Sequence, residues 1–381
     1  MRPIHLSASA IRAFLHCPNC FRYAYIEGVR PIADTESQRV GTNWHKLQEL
    51  YREYQGSAEA EQSYNATIEH LNAVYAHVPD GINSLDWEIE YQTLANSFAG
   101  YVWYYQNDTI QTLATEVGFK LPILHPKTGL PLRRDEVIVP GKIDRFVRLA
   151  DGRVCISDYK STTKSIDPDS DFWGHLRLDT QLSVYCLSAL DLQQAGELEQ
   201  YQITKEDEIA GAWYDVWHRP QISPKMLTQA DTAAFIEGKK YFEKEFVVEV
   251  KQAEGAAPNV TVDDRPAEVE QGKKGFAIRE TPAMFGARLL ADIYERPHFY
   301  FVRKEVPRTP DDLRKFRREL FGIYQSVKMM RDGDFWYRND LQDSMRAHGD
   351  YAQLCYFNVD VSNGQTPPGF RRIFEEQETP A

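Results

Sequence analysis

The sequence predicts an α/β (α+β) fold in which helices wrap a central mixed β-sheet. Three observations carry that expectation. Residues up to about 107 read as successive helices. The pattern turns strand-like near residue 115 and stays so through a hairpin ending at Thr162. From 171 onward helical patterns return, with one strand candidate among them. That order suits a mixed sheet with helices packed against it.

Residues 7–26 read as a helix capped by Ser7 or Ser9, with Ile11, Phe14 and Leu15 as its apolar stripe and Pro18 interrupting it. A second helix is expected over 37–55, "SQRVGTNWHKLQELYREYQ", and two more near 60–77 and 84–107. "TEVGFKLPIL" (115–124) alternates like a strand, and "HPKTG" is a turn. Val137, Ile138, Val139, Ile143, Phe146 and Val147 are followed by "LADGRV", then by Val154, Ile156 and Tyr159. Two β-branched, aromatic-rich runs around Asp-Gly predict a hairpin. Residues 171–194 read as one helix, 208–219 as a strand, and 226–252 as helical. The polar, Gly/Ala/Pro-containing stretch 253–276 reads as a loop or mobile insertion, and helices are expected again over 281–295 and 309–331. The final dozen residues resemble a loose tail, and no internal repeat is evident.

Composition narrows the class. A chain of 381 residues with 42% hydrophobic and 12% aromatic residues has the material for one large domain or two ordinary ones. No run of about 18 apolar residues occurs, so no membrane span is expected. The N-terminus lacks a long apolar segment and a small-residue cleavage site, so no secretory signal is expected. Five cysteines in this length do not make a disulfide framework, which points to a reducing, cytoplasmic setting. The net charge of −12 opposes non-specific adhesion to polyanions. Yet Lys127–Lys164 holds nine Lys/Arg against five Asp/Glu, and Arg303–Arg331 nine against four. Such basic sectors can form a phosphate-binding surface or simply solvated helix faces.

The hairpin carries the chemistry. Asp144 lies on its first strand and Asp158 on its second, with Lys160 two residues beyond Asp158 and therefore on the same face. Antiparallel pairing lets Asp144 lie opposite or diagonal to Asp158, and two carboxylates that close repel unless something compensates. A divalent cation such as Mg2+ would do so, leaving the lysine to orient water or stabilise developing charge. An exposed strand face with an ordinary salt bridge is the alternative, and the hairpin alone leaves both open. "GTNWH" sets Gly41 and His45 on one helical face, and "QLSVY" does the same for Gln181 and Tyr185. A neutral imidazole suits Mn2+, and an amide with a phenol suits phosphate or sugar.

Taken in order, "CP" after a Ser-capped helix, G-x-x-x-H, E-V-x-F, G-x-x-D-R, D-Y-K and Q-x-x-x-Y resemble the PD-(D/E)XK nuclease superfamily, in its RecB-like exonuclease branch. The resemblance covers roughly residues 7–220, with weaker features to about 360. It implies a restriction-endonuclease-like core over 111–225, an N-terminal helical region (1–110) contributing the G-x-x-x-H helix, and a C-terminal helical region (226–381) with a polar loop near 253–276. It implies that His45, Asp144, Asp158 and the carbonyl of Tyr159 ligate Mg2+ or Mn2+, that Lys160 is catalytic with Asp144 and Asp158, and that Glu116 assists. Gln181 and Tyr185 match the DNA-contacting helix motif. Arg145, Lys164 and Arg177 are candidate phosphate contacts, and Trp173 could stack on bases or belong to the core. The implied reaction is DNA phosphodiester hydrolysis by an exonuclease leaving a 5′-phosphate, in recombination, repair or phage DNA metabolism. The implied partner is DNA, with room for a recombination or replication protein. A DNA-binding or assembly module with weak or no catalysis is the alternative, and the intact Asp144, Asp158 and Lys160 oppose it.

Some relatives in that branch pin an iron–sulfur cluster with one N-terminal and three C-terminal cysteines. Here Cys17 sits at the N-terminal position and only Cys355 at the C-terminal ones, where Ser344 and Asp350 stand instead. Cys20 could add a third thiolate if the turn after Pro18 allows it, whereas Cys155 and Cys186 fall in strand and helix near the hairpin. A cluster needs about four thiolates, so none is expected, and Cys17-x-x-Cys20 as half of a zinc site lacks an evident second ligand pair.

Overall fold

The computed structural model describes residues 2–55, 60–252, 257–272, 275–339 and 349–373. The chain opens with a short strand, β1 (Ile4–His5), and helix α1 (Ala8–His16), capped by Ser7, whose Oγ accepts from the Ala10 N–H at 3.2 Å. The single helix expected over 7–26 is broken. Cys17 is extended, and α2 (Pro18–Phe21) restarts on Pro18, which fits a first helical position but has no N–H to continue α1. A π-turn over Arg22–Ile26 leads to β2 (Val29–Pro31). Helices α3 (Glu36–Gln55), α4 (Ala60–Tyr75) and α5 (Ser84–Tyr104) follow where periodicity placed them.

Next come β3 (Gln111–Leu121), β4 (Val137–Arg148) and β5 (Val154–Thr162). The helix expected over 171–194 is two, α6 (Asp171–Arg177) and α7 (Thr180–Ala195), because Asp179 caps the second by accepting from the Gln181 N–H at 2.9 Å. On α7, Leu182 and Leu187 are buried and Leu190 half-buried, as their spacing predicts. Strand β6 (Ile209–His218) completes a crossover that runs parallel to β5.

The helix expected over 226–252 is present only in part, and the stretch 253–276 expected as a loop carries strands, with residues 253–256 and 273–274 outside those described. Helix α8 (Gln229–Gly238) stops at Lys239, which adopts a left-handed conformation. After it come β7 (Lys240–Tyr241), β8 (Lys244–Glu245) and β9 (Val248–Lys251), then β10 (Asn259–Val262), β11 (Arg265–Pro266), β12 (Val269–Gln271) and β13 (Phe276–Ile278). These short strands form small antiparallel ladders over their own core of Leu227, Phe235, Val248, Val260, Val262 and Ile278. The C-terminal region is therefore not purely helical. It continues with α9 (Pro282–Glu295), α10 (Pro297–Tyr300), the unforeseen strand β14 (Phe301–Pro307), α11 (Pro310–Gly333), α12 (Ala352–Tyr356) and β15 (Phe370–Arg372). Part of the expected tail is thus a strand, paired with β2. Among the described residues no helix is long and apolar enough to cross a membrane.

Strands β1, β3, β4, β5, β6 and β14 make one mixed sheet in which β1–β4 and β5–β6 are parallel and the other pairs antiparallel. Alternate side chains of β6 enter different cores. Ala212, Tyr214 and Val216 join a core with α1, α7 and α11, while Trp217 stacks on Trp44 at 4.1 Å in a core with α3, α5 and α9. Between them runs a buried polar chain. Arg303 donates to Asp215 at 2.8 Å, to Tyr101 at 2.8 Å and to Asp108, and Arg145 lies 4.0 Å from Asp215.

Removing one member strands the others. Asp215→Ala leaves two buried guanidinium groups short of their carboxylate, and a broken buried pair of this kind costs about 3–5 kcal/mol. Denaturant unfolding should show a loss of that size, and a loss below about 1 kcal/mol would mean that the chain is not a structural anchor.

Candidate active site

Strands β4 and β5 pair from Arg148↔Val154 to Arg145↔Ser157 and no further. Beyond that rung β4 stays with β3, and β5 stays with β6 as far as Thr162↔His218. The two strands fork, and the first residue past the last rung on each side is an aspartate: Asp144 on β4 and Asp158 on β5. The Tyr159 N–H spans the gap, donating to Asp144 Oδ2 at 3.5 Å.

Side chains from both faces of the sheet meet at the fork. From the α7 face, Lys160 Nζ lies 2.7 Å from Asp158 Oδ2 and 3.9 Å from Asp179 Oδ2, and donates to Gln181 Oε1 at 2.7 Å. From the α3 face, His45 Nδ1 lies 3.5 Å from Asp144 Oδ2, and its ring stands edge-on to Tyr159. A Cβ added to Gly41 would meet Ser161 Oγ at 3.6 Å, an ordinary contact, so α3 lies against β5 without needing a glycine there. Glu116 falls between the rungs Thr115↔Arg145 and Val117↔Ile143, opposite Asp144. Its φ of +51° is costly for a side chain of this kind, and such strain gathers at functional sites. It also pairs with Lys142 at 3.3 Å.

The electrostatics are those of too many acids. Burial, Asp158 and Glu116 push the Asp144 carboxyl up to about 8 against the pull of Lys160. Burial also raises Asp158, opposed by Lys160. Burial would lower Lys160, but Asp158 and Asp179 outweigh it and hold the ammonium above its ordinary range. Burial, then Lys160, pulls His45 down to about 4, which keeps the imidazole neutral with a lone pair available for a ligand.

Not all of the other expected site residues are placed as the sequence suggested. Arg145 is only 1% exposed, donates to Ser157 Oγ at 2.9 Å and lies over the Tyr159 ring, so it is a wedge under the fork and not a phosphate contact. Tyr185 is buried against Phe119 and accepts from Gln181 Nε2 at 2.8 Å, while the half-buried Gln181 faces Lys160. Trp173 is core: its indole N–H donates to the Ile166 carbonyl at 3.0 Å. Lys164 and Arg177 are exposed, and Arg177 lines a cleft of about 500 Å³ with Arg308 and Lys315. Asp179 was not among the site residues expected from the sequence. It caps α7, takes hydrogen bonds from Tyr214 at 3.2 Å and Arg12 at 3.3 Å, and faces Lys160. Its signal was an Asp-Thr step inside a run otherwise read as one helix.

The donors suit a hard divalent cation. Both carboxylate oxygens of the buried Asp158 lack a hydrogen bond of sound geometry, with only the Lys160 ammonium beside them. Asp144 and neutral His45 add oxygen and nitrogen donors. The ligand atoms of His45, Asp144 and Asp158 do not all lie within 4.8 Å of one another, so the set is gathered but not closed.

A mixed sheet whose strands part to present two acids and a lysine, covered by helices on both faces, is a nuclease core. The chain belongs to the PD-(D/E)XK nuclease superfamily, whose family model matches residues 5–339. It is also similar to two proteins, from two strains of Streptococcus equi subsp. zooepidemicus, that are each named as one subunit of an ATP-dependent helicase/deoxyribonuclease. Each is 28% identical over 197 residues, a stretch covering 50% of this chain and 17% of theirs. These relatives are consistent with the RecB-like branch that the motifs resemble.

An Asp144 carboxyl raised to about 8 contributes stability that is full below its unfolded value, near 3.8, and is lost as pH rises through about 8. Without added metal, Asp144→Asn should therefore melt higher than the parent at pH 8, with the gap closing toward pH 4. Calorimetric melts across that range check this, and equal melting temperatures at pH 8 would remove the proposed strain.

Proposed function

We propose that this chain is a Mg2+- or Mn2+-dependent DNA exonuclease that hydrolyses phosphodiester bonds, acting in DNA recombination, repair or phage DNA metabolism. The observation that carries the reading is the fork, which sets Asp144, Asp158 and Lys160 at the end of one opened strand pair. The family and the deoxyribonuclease named among the curated relatives support it.

Asp144, Asp158, His45 and the carbonyl of Tyr159 would hold the cation, which when bound would supply Lewis-acid activation of water and charge neutralisation at the scissile phosphate. Asp144 must lose its proton to serve as a ligand, so binding there releases protons. Lys160 acts from the α7 side. Asp158 and Asp179 keep it charged, and Gln181 fixes its direction by accepting a hydrogen bond from Nζ. An ammonium so held can orient the attacking water and stabilise the pentavalent charge. Tyr185 is a positioning residue, since it holds the Gln181 amide that holds Lys160. Lys164 and Arg177, both exposed, are the residues offered for phosphate contacts. Contacts of that kind are sequence-tolerant and weaken with salt.

The deciding experiment is digestion of end-labelled linear and covalently closed circular DNA, single- and double-stranded, with Mg2+, Mn2+ or EDTA. Loss of linear substrate alone, abolished by EDTA, is the expected result. Cutting of circles, or cutting in EDTA, would sink the exonuclease reading.

Substitutions separate the roles. Asp158→Ala should abolish cutting in Mg2+. Lys160→Ala should lower kcat by about 10²–10⁴-fold while calorimetry still detects cation binding. Gln181→Ala should lower kcat by on the order of tenfold through a misdirected Lys160, with DNA affinity in Ca2+ unchanged. An affinity loss without a kcat loss in that last variant would return Gln181 to the DNA surface and contradict the assignment.

A further inference from the structure

Away from the fork, three cysteines converge. Cys17, Cys20 and Cys355 are buried and not disulfide-bonded, and their Sγ atoms all lie within 4.8 Å of one another, with Cys20 and Cys355 at 3.4 Å. The turn after Pro18 brings this about. Cys17 is extended at the end of α1, Pro18 opens α2, and that single helical turn carries Cys20 back beside Cys17. Cys355 arrives from the opposite end of the chain on α12. Tyr23, Val29, Leu354 and Val361 wall the group, and Asn19 Nδ2 stands 3.9 Å from Cys355 Sγ.

A buried cysteine is ordinarily a small apolar filler. Three thiols from two distant segments in mutual contact are harder to explain by packing, because a core built for contact alone fills more of its space with Leu, Ile or Phe. The spacing is informative. Thiolates that share one tetrahedral ion at about 2.3 Å stand about 3.8 Å from each other. Thiolates of a four-iron cluster each bind a different iron, number about four, and must stand farther apart than ligands of a single ion. Among the described residues only these three thiols meet, all within 4.8 Å and with Cys20 and Cys355 at 3.4 Å, close enough to share a single ion. Cys155 and Cys186 belong to β5 and α7, outside the group. Three thiols gathered this closely do not fit a four-iron cluster.

We propose that Cys17, Cys20 and Cys355 hold one thiophilic ion, Zn2+, as a three-thiolate site whose fourth ligand is not a cysteine. The thiols bind as thiolates and release their protons. The ion ties the α1–α2 turn to the C-terminal segment where β15 already pairs with β2. It is a structural site, separate from the cation proposed at the fork.

The test is metal analysis of the full chain, purified anaerobically without added metal. The expected result is about one zinc per chain, and after chelation a Co2+ titration that gives thiolate-to-cobalt charge-transfer absorption, displaced by Zn2+. C20S should abolish zinc retention and C155S should not. Should C20S fail to fold, alkylation of the parent decides: zinc should protect Cys17, Cys20 and Cys355, and a chelator should expose all three. Iron with sulfide at about four per chain would overturn the proposal. So would a Cys20–Cys355 disulfide in the freshly isolated protein, or a chain that binds neither Zn2+ nor Co2+ and alkylates at the same rate with and without chelator. None of these readouts involves DNA cleavage, so failure here leaves the proposed nuclease untouched.

Discussion

The site depends on one event in the sheet, the parting of β4 from β5 after Arg145↔Ser157. Had the ladder continued, Asp144 and Asp158 would face each other across a closed rung. The side chains of α3 and α7 would then be kept apart by backbone. The fork removes that barrier, so His45 from one face and Lys160 from the other reach the same gap. What holds the last rung is Arg145. It is buried beneath the fork on Ser157 and the Tyr159 ring, and Asp215, itself held by Arg303 and Tyr101, lies 4.0 Å away. That chain links β4, β5, β6, β14 and α5, so the geometry of the opening is fixed by the whole sheet and not by a loop.

The same arrangement concentrates negative charge. Asp144, Asp158, Asp179 and Glu116 surround a gap in which Lys160 opposes the raised carboxyls of Asp144 and Asp158. An ordinary core would not tolerate this, since buried like charges repel and pull protons onto themselves. Proteins accept such conflicts where the site needs them. Here the conflict leaves Asp158 without proper hydrogen bonds and Asp144 reluctant to ionise, which is the condition a divalent cation relieves.

Much of this was legible in the sequence, for physical reasons. The hairpin announced itself by β-branched runs around Asp-Gly, and α3, α4, α5, α9 and α11 by their helical period. Alternation placed Asp158 and Lys160 on one face. Other features depend on partners far along the chain. Whether Arg145 meets phosphate or lies buried is decided by Asp215, seventy residues later, and periodicity cannot see that. Strand β14, "FVRKEVP", carries charge along much of its length because Arg303 serves the buried chain, so it does not read as apolar alternation. The strands between 240 and 278 are two to four residues long, too short for a period to show, and the Gly, Pro and charged residues in and between them imitate a loop. The α6–α7 break was hidden because Asp179 caps a helix inside a run whose apolar spacing continues across it. Of the positions expected to lack cluster cysteines, Asp350 is exposed and takes a hydrogen bond from Gln38, while Ser344 lies outside the described residues.

The pairing of β2 with β15 has a consequence for how the molecule is made. Tyr23 donates to the carbonyls of Leu354 and Val359, and Tyr351 to that of Val29, so the N-terminal turn is anchored by residues more than three hundred positions later. Translation supplies roughly 5–20 residues per second, so this turn emerges tens of seconds before its anchors exist. During that interval α1 and α2 must leave Cys17, Cys20 and Tyr23 exposed while the sheet forms behind them. The turn around Tyr23, although made earlier, therefore becomes native together with the segment around Leu354 that anchors it.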